Sequence, residues 1–403
     1  MNQPTQQVDI AIAGAGMVGA TLALLLRQAN PNWRILVVEP HPQQTSDDYN
    51  PSFDDRSTAL SWRTREVFEG LGLWQQLEQR AAAIEQIQVS DRGHIASTQL
   101  SACEQGMTAY GYVVENRWLG QILQQQLANS DITLAAPATI EQVTMTANGA
   151  ELSISNSNTP ITCELLIVAD GARSTTRDLL GIGVDVQDYG QMGLIANIAL
   201  AQPHNGVAYE RFTANGPMAL LPLPDSSEGQ HRSALVWTLP PDQAKHLSDC
   251  DEAEFLAQLQ QVFGYRQGNL LGVGERHLYP LKLMETCEQV RRHLVVVGNA
   301  AHSLHPVAGQ GFNLAIRDIA ALVEVLAEGT NNGCDLGDLA LLQKYQNSRE
   351  SDQQRTVAAS HWLPKFFAVD NPTAALARGA GLFAMDMVPS LRGQFARYGM
   401  GVE

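Results

Sequence analysis

The stretch Val8–Ala29, VDIAIAGAGMVGATLALLLRQA, decides the fold of this chain. Its opening residues, Val8–Ala13, form an apolar run of the kind buried on both faces in a parallel sheet. The run passes at once into Gly14-Ala15-Gly16-Met17-Val18-Gly19, a complete G-x-G-x-x-G, and then into a helical stretch, Ala20–Ala29. A second apolar strand, Ile35–Val38, ends in the acid Glu39. Each part has a physical task in gripping a dinucleotide. Gly14 makes a tight turn, Gly16 lets the backbone approach a pyrophosphate, and Gly19 lets the helix close on the strand. The helix start offers free N–H groups and a partial positive charge to an anion. Glu39 can accept hydrogen bonds from ribose hydroxyls, and its charge opposes a 2′-phosphate. The loop is therefore expected to hold FAD or NAD rather than NADP.

Moving outward, Cys163–Val168 is another apolar strand that runs into Ala169-Asp170-Gly171-Ala172-Arg173-Ser174 and a helical stretch with Arg177. The carboxyl ends of parallel strands face the ligand crevice, which makes Asp170 a candidate. Asp55–Leu60 (DRSTAL) follows a polar loop and precedes a helix. Arg56 there either reaches a phosphate or ring oxygen or is a solvated arginine at a helix start. Arg117 opens the helix Arg117–Ala128 and is either a phosphate contact or simply exposed. Far along the chain, the strand Leu294–Val297 runs into Gly298–Asp318, GNAAHSLHPVAGQGFNLAIRD. Its loop opens into an amphipathic helix through Asn313. Gly309 and Gly311 would let a flat, electron-accepting ring lie on bare backbone, with the helix start facing its negative charge.

Composition narrows the class. Over 403 residues, 44% are hydrophobic, so a sizeable core is available. A net charge of −16 argues against nucleic acid and against simple attraction to anionic lipid. Cys103, Cys163, Cys250, Cys287 and Cys334 are scattered, with no C-x-x-C pair, which speaks against metal or redox-disulfide sites and for a reducing cytoplasm. The polar start MNQPTQQ is no signal peptide, and no apolar run is long enough to span a bilayer.

The motif order, with G-x-G-x-x-G first, Asp170-Gly171 in mid-chain and a late G-N-A-A-H…P…G-Q-G-x-N, resembles the aromatic-ring hydroxylase group of FAD monooxygenases over nearly the whole chain. An NAD dehydrogenase needs neither of the last two. Within that group, His305–Asn313 followed by Asp318 resembles the ubiquinone-biosynthesis hydroxylases. Asp55–Ser61, Ser90–His94, Val113–Asn116 and Glu210–Pro222 resemble the branch that hydroxylates C1 of a prenylated methoxyphenol. Two positions depart from the pattern: Asn299 stands where the family usually has Asp, and Ala315 where it usually has Gly.

The resemblance implies an α/β plus β architecture. A Rossmann-like FAD-binding domain would comprise 1–75, 106–181 and 285–360. An antiparallel-sheet substrate domain, 76–105 and 182–284, would be inserted into it, and a helical tail, 361–403, would follow. Strand-like alternation at Ile84–Leu100, Met192–Leu200, Gly206–Phe212, Met218–Leu223 and Ser233–Leu239 agrees with the insertion, with Pro222, Pro224, Pro240 and Pro241 punctuating it. The tail segment Leu363–Tyr398 either packs on the FAD domain or faces lipid or a partner.

The implied cofactor-binding set is Gly14, Ala15, Gly16, Met17, Val18, Gly19, Glu39, Arg56, Arg117, Asp170, Asn299, Pro306, Gly309, Gln310, Gly311 and Asn313. The implied chemistry is reduction of FAD by a transiently bound NAD(P)H, addition of O₂ at flavin C4a, and delivery of one oxygen atom to a polyprenylated phenol. Pro306 would turn its carbonyl toward the reacting face. Further implications are a ubiquinone-biosynthesis complex and peripheral contact with the inner membrane. No proton-transfer residue stands out. His302 and His305 are better read as structural hydrogen-bonders than as bases, and Tyr209 and Arg211 on the inserted sheet are weaker candidates. Two rivals share the fold. A flavin halogenase would carry W-x-W-x-I-P, where this chain has only Val236-Trp237-Thr238-Leu239-Pro240. A non-catalytic prenyl-lipid carrier or scaffold would not need the late ring-contact loop.

Overall fold

The computed structural model describes residues 6–42, 56–91, 97–304 and 309–368. The tail beyond 368, the segment 92–96 of the Ser90–His94 stretch, and His305 and Pro306 lie outside the described residues.

Val8–Ala13 lies within the strand Gln6–Ala13, at the centre of an eight-stranded sheet. It pairs in parallel with Ile35–Val38 on one side and with Ile161–Val168 on the other. Ile10, Ala11 and Ile12 are fully buried, which is why the sequence shows an unbroken apolar run and no alternation. Leu294–Val296 pairs beyond Ile161–Val168, and Thr133–Ala135 beyond Ile35–Val38. The helices Met17–Ala29, Asn116–Ala128 and Gln310–Asn331 supply the apolar layer over this sheet, with Leu22, Leu26, Leu123, Ile316 and Leu326 in its interior.

The inserted region is a nine-stranded sheet built around the long strand Val184–Leu200. That strand starts well before the expected Met192 and pairs with His277–Thr286, a strand that Pro280 concealed from sequence reading. Pro280 is exposed, where its missing N–H carries little penalty. Pro222 also sits inside a strand, Gly216–Leu223, and does not punctuate it; there it faces Ser233 of Arg232–Leu239. The helices Pro241–Asp249 and Glu252–Phe263 cover one face of this sheet, burying Leu194, Leu235, Trp237, Phe255 and Phe263. Asp251 caps the second of them by accepting the Glu254 N–H at 2.8 Å.

Two expectations change. Ala81–Ile84 belongs to a small three-stranded sheet with Gly111–Glu115 and Ser57–Ser61, while Gln86–Asp91 and Ser97–Ser101 join the large sheet. The DRSTALS segment enters its helix, Trp62–Gly70, through the strand Ser57–Ser61, so Arg56 precedes a strand. Among the described residues, no helix is long and apolar enough to cross a membrane.

Candidate functional site

The register of the parallel sheet assembles the site. Ala13 lies opposite Val38 and Val168, and Val168 lies opposite Val296, so four strands end in step. Gly14, Glu39, Ala169-Asp170 and Val297-Gly298 therefore emerge along one edge, although they are distant in sequence. Backbone bonds stitch them together: Gly14 N–H to Val38 O at 2.8 Å, Ala169 N–H to Ala13 O at 2.8 Å, and Val297 N–H to Val168 O at 2.9 Å.

The loop has the close approaches that its glycines predict. Gly14 has φ +97°, and a Cβ there would lie 2.8 Å from Ala169 O. A Cβ on Gly19 would lie 2.0 Å from Gly14 O. Gly16 caps the helix Met17–Ala29 without any side-chain bond, and the first turn carries no acid, so its amide donors face the crevice end of the sheet. Glu39 accepts the Ala15 N–H at 2.7 Å and the His41 N–H at 3.1 Å. One oxygen of Asp170 accepts the Thr176 N–H at 3.1 Å. The other is buried and has no hydrogen-bond partner among the described residues. Gly298 rests on the first loop: a Cβ there would come within 3.1 Å of Val18 Cγ1. Asn299 follows, exposed, in a 3₁₀ turn.

The other end of the crevice is organised by Asn313. Its Oδ1 accepts from the Ser61 N–H at 2.8 Å and the Thr64 hydroxyl at 2.7 Å, and its Nδ2 donates to Ala59 O at 2.8 Å and Gly309 O at 3.0 Å. Both donors and both acceptor positions of the side-chain amide are thus occupied within the protein. Gly309, at φ +61°, sits against Ala59, where a Cβ would meet the Ala59 Cβ at 3.2 Å. Gln310 is buried at the helix start. At Gly311 the nearest atom of a described residue outside its own helix turn to an added Cβ would be Leu304 Cβ, at 4.0 Å. Ala315 is buried and packs within the helix interior face.

The guanidinium of Arg56 stacks over the Tyr279 ring, 4.7 Å from its centroid. The pairing of Ser57 with Glu115 brings Arg56 beside the start of the helix Asn116–Ala128, where Arg117 is exposed. A cavity of about 510 Å³ opens beside Arg56, lined also by Ile195, Asn197, Arg232 and His277. His302 is buried with Nε2 3.3 Å from Asp318, and Asp318 in turn takes the Arg349 Nε at 2.7 Å. That nitrogen lies within ion-pair distance of Asp318 but makes no hydrogen bond among the described residues, so the structural hydrogen bond expected of His302 is not seen there.

Tyr209 and Arg211 do not face this region. Tyr209 meets the Phe263 ring edge-on at 5.4 Å, and Arg211 Nη1 donates to Phe263 O at 2.8 Å. Both therefore lie on the sheet face turned toward the helix Glu252–Phe263. Strand alternation gives the opposite face to Glu210, which sequence reading passed over. Burial pushes its carboxyl up to about 8. The signal was present as a charged residue within a half-buried strand, and period-2 counting along Val207–Thr213 would have found it.

The family described as an FAD binding domain matches residues 7–360. The chain belongs to that family. Ubiquinone hydroxylase UbiL of Rhodospirillum rubrum is 33% identical over 394 residues, covering 98% of this chain and 89% of the relative. The 3-demethoxyubiquinol 3-hydroxylase of Escherichia coli is 31% identical over 406 residues, covering all of both chains. Among solved structures, p-nitrophenol 4-monooxygenase PnpA of Pseudomonas putida superposes with a TM-score of 0.79 at 16% identity, covering 99% of this chain and 100% of that one. As a member of the FAD-binding family this chain is a flavin-dependent aromatic hydroxylase, and its cofactor is FAD. The site suits that cofactor. The uncapped helix start and the Gly14–Gly19 cradle suit a pyrophosphate, and the buried, unpartnered oxygen of Asp170 suits a hydroxyl donor.

Proposed function

We propose that this protein hydroxylates the aromatic ring of a polyprenylated phenol in ubiquinone biosynthesis, with 2-octaprenyl-6-methoxyphenol, attacked at C1, as its substrate. The full-length relation to two quinone-pathway hydroxylases carries the reading. The ring position rests on the DRSTALS, SDRGH, VVEN and ERFTANGPMALLP stretches.

When bound, FAD supplies the redox chemistry, taking hydride from NAD(P)H and passing one atom of O₂ to the phenol. The chain's own residues bind and orient. The amides of Gly14–Gly19 would hold the pyrophosphate. Glu39 would meet the adenosine ribose, and Asp170 and Asn299 hydroxyls further along the cofactor. Arg56 and Arg117 would reach phosphate or ring oxygens. The Gln310 and Gly311 amides, at the start of the helix Gln310–Asn331, would face the electron-rich edge of the ring. Asn313 acts through its bonds to Ser61 and Gly309, which fix that helix start against the strand Ser57–Ser61. Pro306 completes the set. The sheet Val184–Leu200 through Val207–Thr213 forms the substrate wall. The domain boundaries expected from sequence go with this reading, with Ala81–Ile84 transferred to the FAD side.

Quinone analysis in cells lacking the protein tests the proposal. Accumulated octaprenyl-methoxyphenol supports C1 hydroxylation. Accumulated demethoxyubiquinone moves the activity to the position named for the Escherichia coli relative, and unchanged ubiquinone overturns the pathway assignment.

A further inference from the structure

We propose that Glu210 is the proton acceptor for the substrate, its carboxylate reaching the phenol hydroxyl from the sheet wall of the site. The inference rests on the reading of the protein as a phenol hydroxylase.

The placement follows from sheet register. Val89, Glu210, Ala219, Val236, Ile195 and His277 are successive cross-strand neighbours, so they form one row on one face. Two residues back along their strands, Ala208 and Ala234 occupy the adjacent row and belong to the buried cluster against which Ala59 packs. Ala59 is the residue against which Gly309 rests. Two residues in the other direction from Ile195 and His277, Gly193 faces Tyr279, under the Arg56 guanidinium. Glu210 thus belongs to the row between one that shares a buried cluster with Ala59 and one whose Tyr279 lies under Arg56. Along this row Glu210, Ala219, Val236 and Ile195 keep partial access to solvent, while Leu220, Leu235 and Ala196 on the opposite face are sealed. The Glu210 carboxyl is thus placed on the sheet face that meets the FAD domain on either side of this row.

No described residue hydrogen-bonds or ion-pairs with that carboxyl, and burial alone accounts for its raised affinity for the proton. Leaving a carboxyl so placed is costly to folding. A phenol hydroxyl is the partner it lacks. A group that titrates near 8 releases its own proton just above neutrality, and its carboxylate can then take the proton of the phenol. The ionisable side chains placed toward this face are Arg56, Tyr279, His277 and the Arg232–Glu115 pair, with Tyr189 and its partner His361 of the helix Leu339–Ala368. In the step itself the phenol O–H bond breaks and the proton passes to a Glu210 oxygen. Both electrons stay on the phenol oxygen, raising electron density at the ortho and para carbons. The proton leaves to solvent after turnover.

The FAD-loaded full chain is compared with E210Q and E210D. The probe is 2-methoxyphenol carrying a short prenyl chain, and the control is its O-methyl ether. Quenching of flavin fluorescence reads binding, and product analysis reads turnover. E210Q is expected to bind FAD and be reduced as the parent is, with hydroxylation down about 10²- to 10³-fold and KM little changed. E210D should recover part of the rate. The parent should bind the phenol roughly 10-fold more tightly than the ether, a preference lost in E210Q. Full turnover in E210Q with the preference intact overturns the proposal. A parent protein that prefers the phenol but forms no hydroxylated product sinks the functional reading and leaves the Glu210 contact standing. One that hydroxylates the probe as fast as E210Q does sinks Glu210 alone. Should E210Q fail to fold, loss of the phenol preference in E210D supports the contact and its retention at full rate counts against a distance-sensitive proton transfer.

Discussion

Glu39 holds the Ala15 amide: the carboxylate at the end of the second strand accepts that N–H at 2.7 Å, across the mouth of the Gly14–Gly19 loop. One oxygen therefore closes the loop before any ribose arrives. Glu39→Ala removes both the loop tie and the proposed ribose acceptor, each a charge-assisted hydrogen bond. FAD affinity should fall roughly 10- to 100-fold, as expected from the loss of about 1.5–3 kcal/mol. Glu39→Gln keeps an acceptor for Ala15 and should fall less. Fluorescence titration of the apoprotein with FAD measures both, and an unchanged dissociation constant in Glu39→Ala would remove this residue from the cofactor set.

Two glycines at the same helix start should respond in opposite ways. Gly309 has φ +61° and lies against Ala59, so Gly309→Val places a β-branched residue in the left-handed region with its methyls against a neighbouring strand. The change should cost about 1–3 kcal/mol of stability and abolish hydroxylation. At Gly311 an added Cβ would come no nearer than 4.0 Å to any described residue outside its own helix turn, the nearest atom being Leu304 Cβ. Gly311→Ala should leave the melting temperature unchanged or slightly raised, since Ala favours helix by up to about 1 kcal/mol. If a flavin ring lies on this backbone, the same methyl should weaken FAD binding and slow oxidation. A Gly311→Ala protein with full activity would show that the ring does not lie there.

The parallel core was legible because residues buried on both faces leave an unbroken apolar signature, as at Val8–Ala13 and Ile35–Val38, and because the glycine loop has few other uses. The assembly of four loop ends was legible only in part. Motif order suggested it, but the register that sets Ala13 beside Val168 and Val168 beside Val296 is a long-range property. The strand His277–Thr286 was hidden by Pro280, whose exposed position is invisible from sequence. Tyr209 and Arg211, weak candidates from the sequence, lie on the face turned to the helix Glu252–Phe263, which the sequence hides for a different reason. A strand's period fixes that they share a face, not which layer that face meets, and the helix Glu252–Phe263 covers theirs.

Asp318, in the helix Gln310–Asn331, joins the helix Leu339–Ala368 to the late loop. It is almost completely buried and accepts from Arg349 Nε at 2.7 Å and Gln353 Nε2 at 3.0 Å, with the His302 ring nitrogen Nε2 3.3 Å away. Removing one partner of a buried charge cluster leaves the others uncompensated. Asp318→Ala should therefore destabilise by about 3–5 kcal/mol, far more than removal of the exposed Lys344–Glu328 pair, worth at most about 1 kcal/mol. Chemical denaturation of the FAD-free protein measures the difference without reference to catalysis. Equal effects of Asp318→Ala and Glu328→Ala would mean that the cluster does not hold the loop.

Glu210 also predicts a pH dependence of stability. In the unfolded chain its carboxyl releases its proton near 4.5, whereas the folded protein keeps it up to about 8. Between those values the unfolded state binds fewer protons, so this group makes stability fall as pH rises. Its contribution is fully present below about 4.5, declines across the interval, and levels off above about 8. Glu210→Gln has the same shape and no proton to lose. The variant and the parent should therefore melt at similar temperatures near pH 4.5, and the variant should gain steadily on the parent up to pH 8. Thermal melts of the two FAD-free proteins across that range decide the matter: parallel curves would mean that the carboxyl is solvated in the folded protein, and a variant that loses ground as pH rises would mean that it is paired with a positive charge.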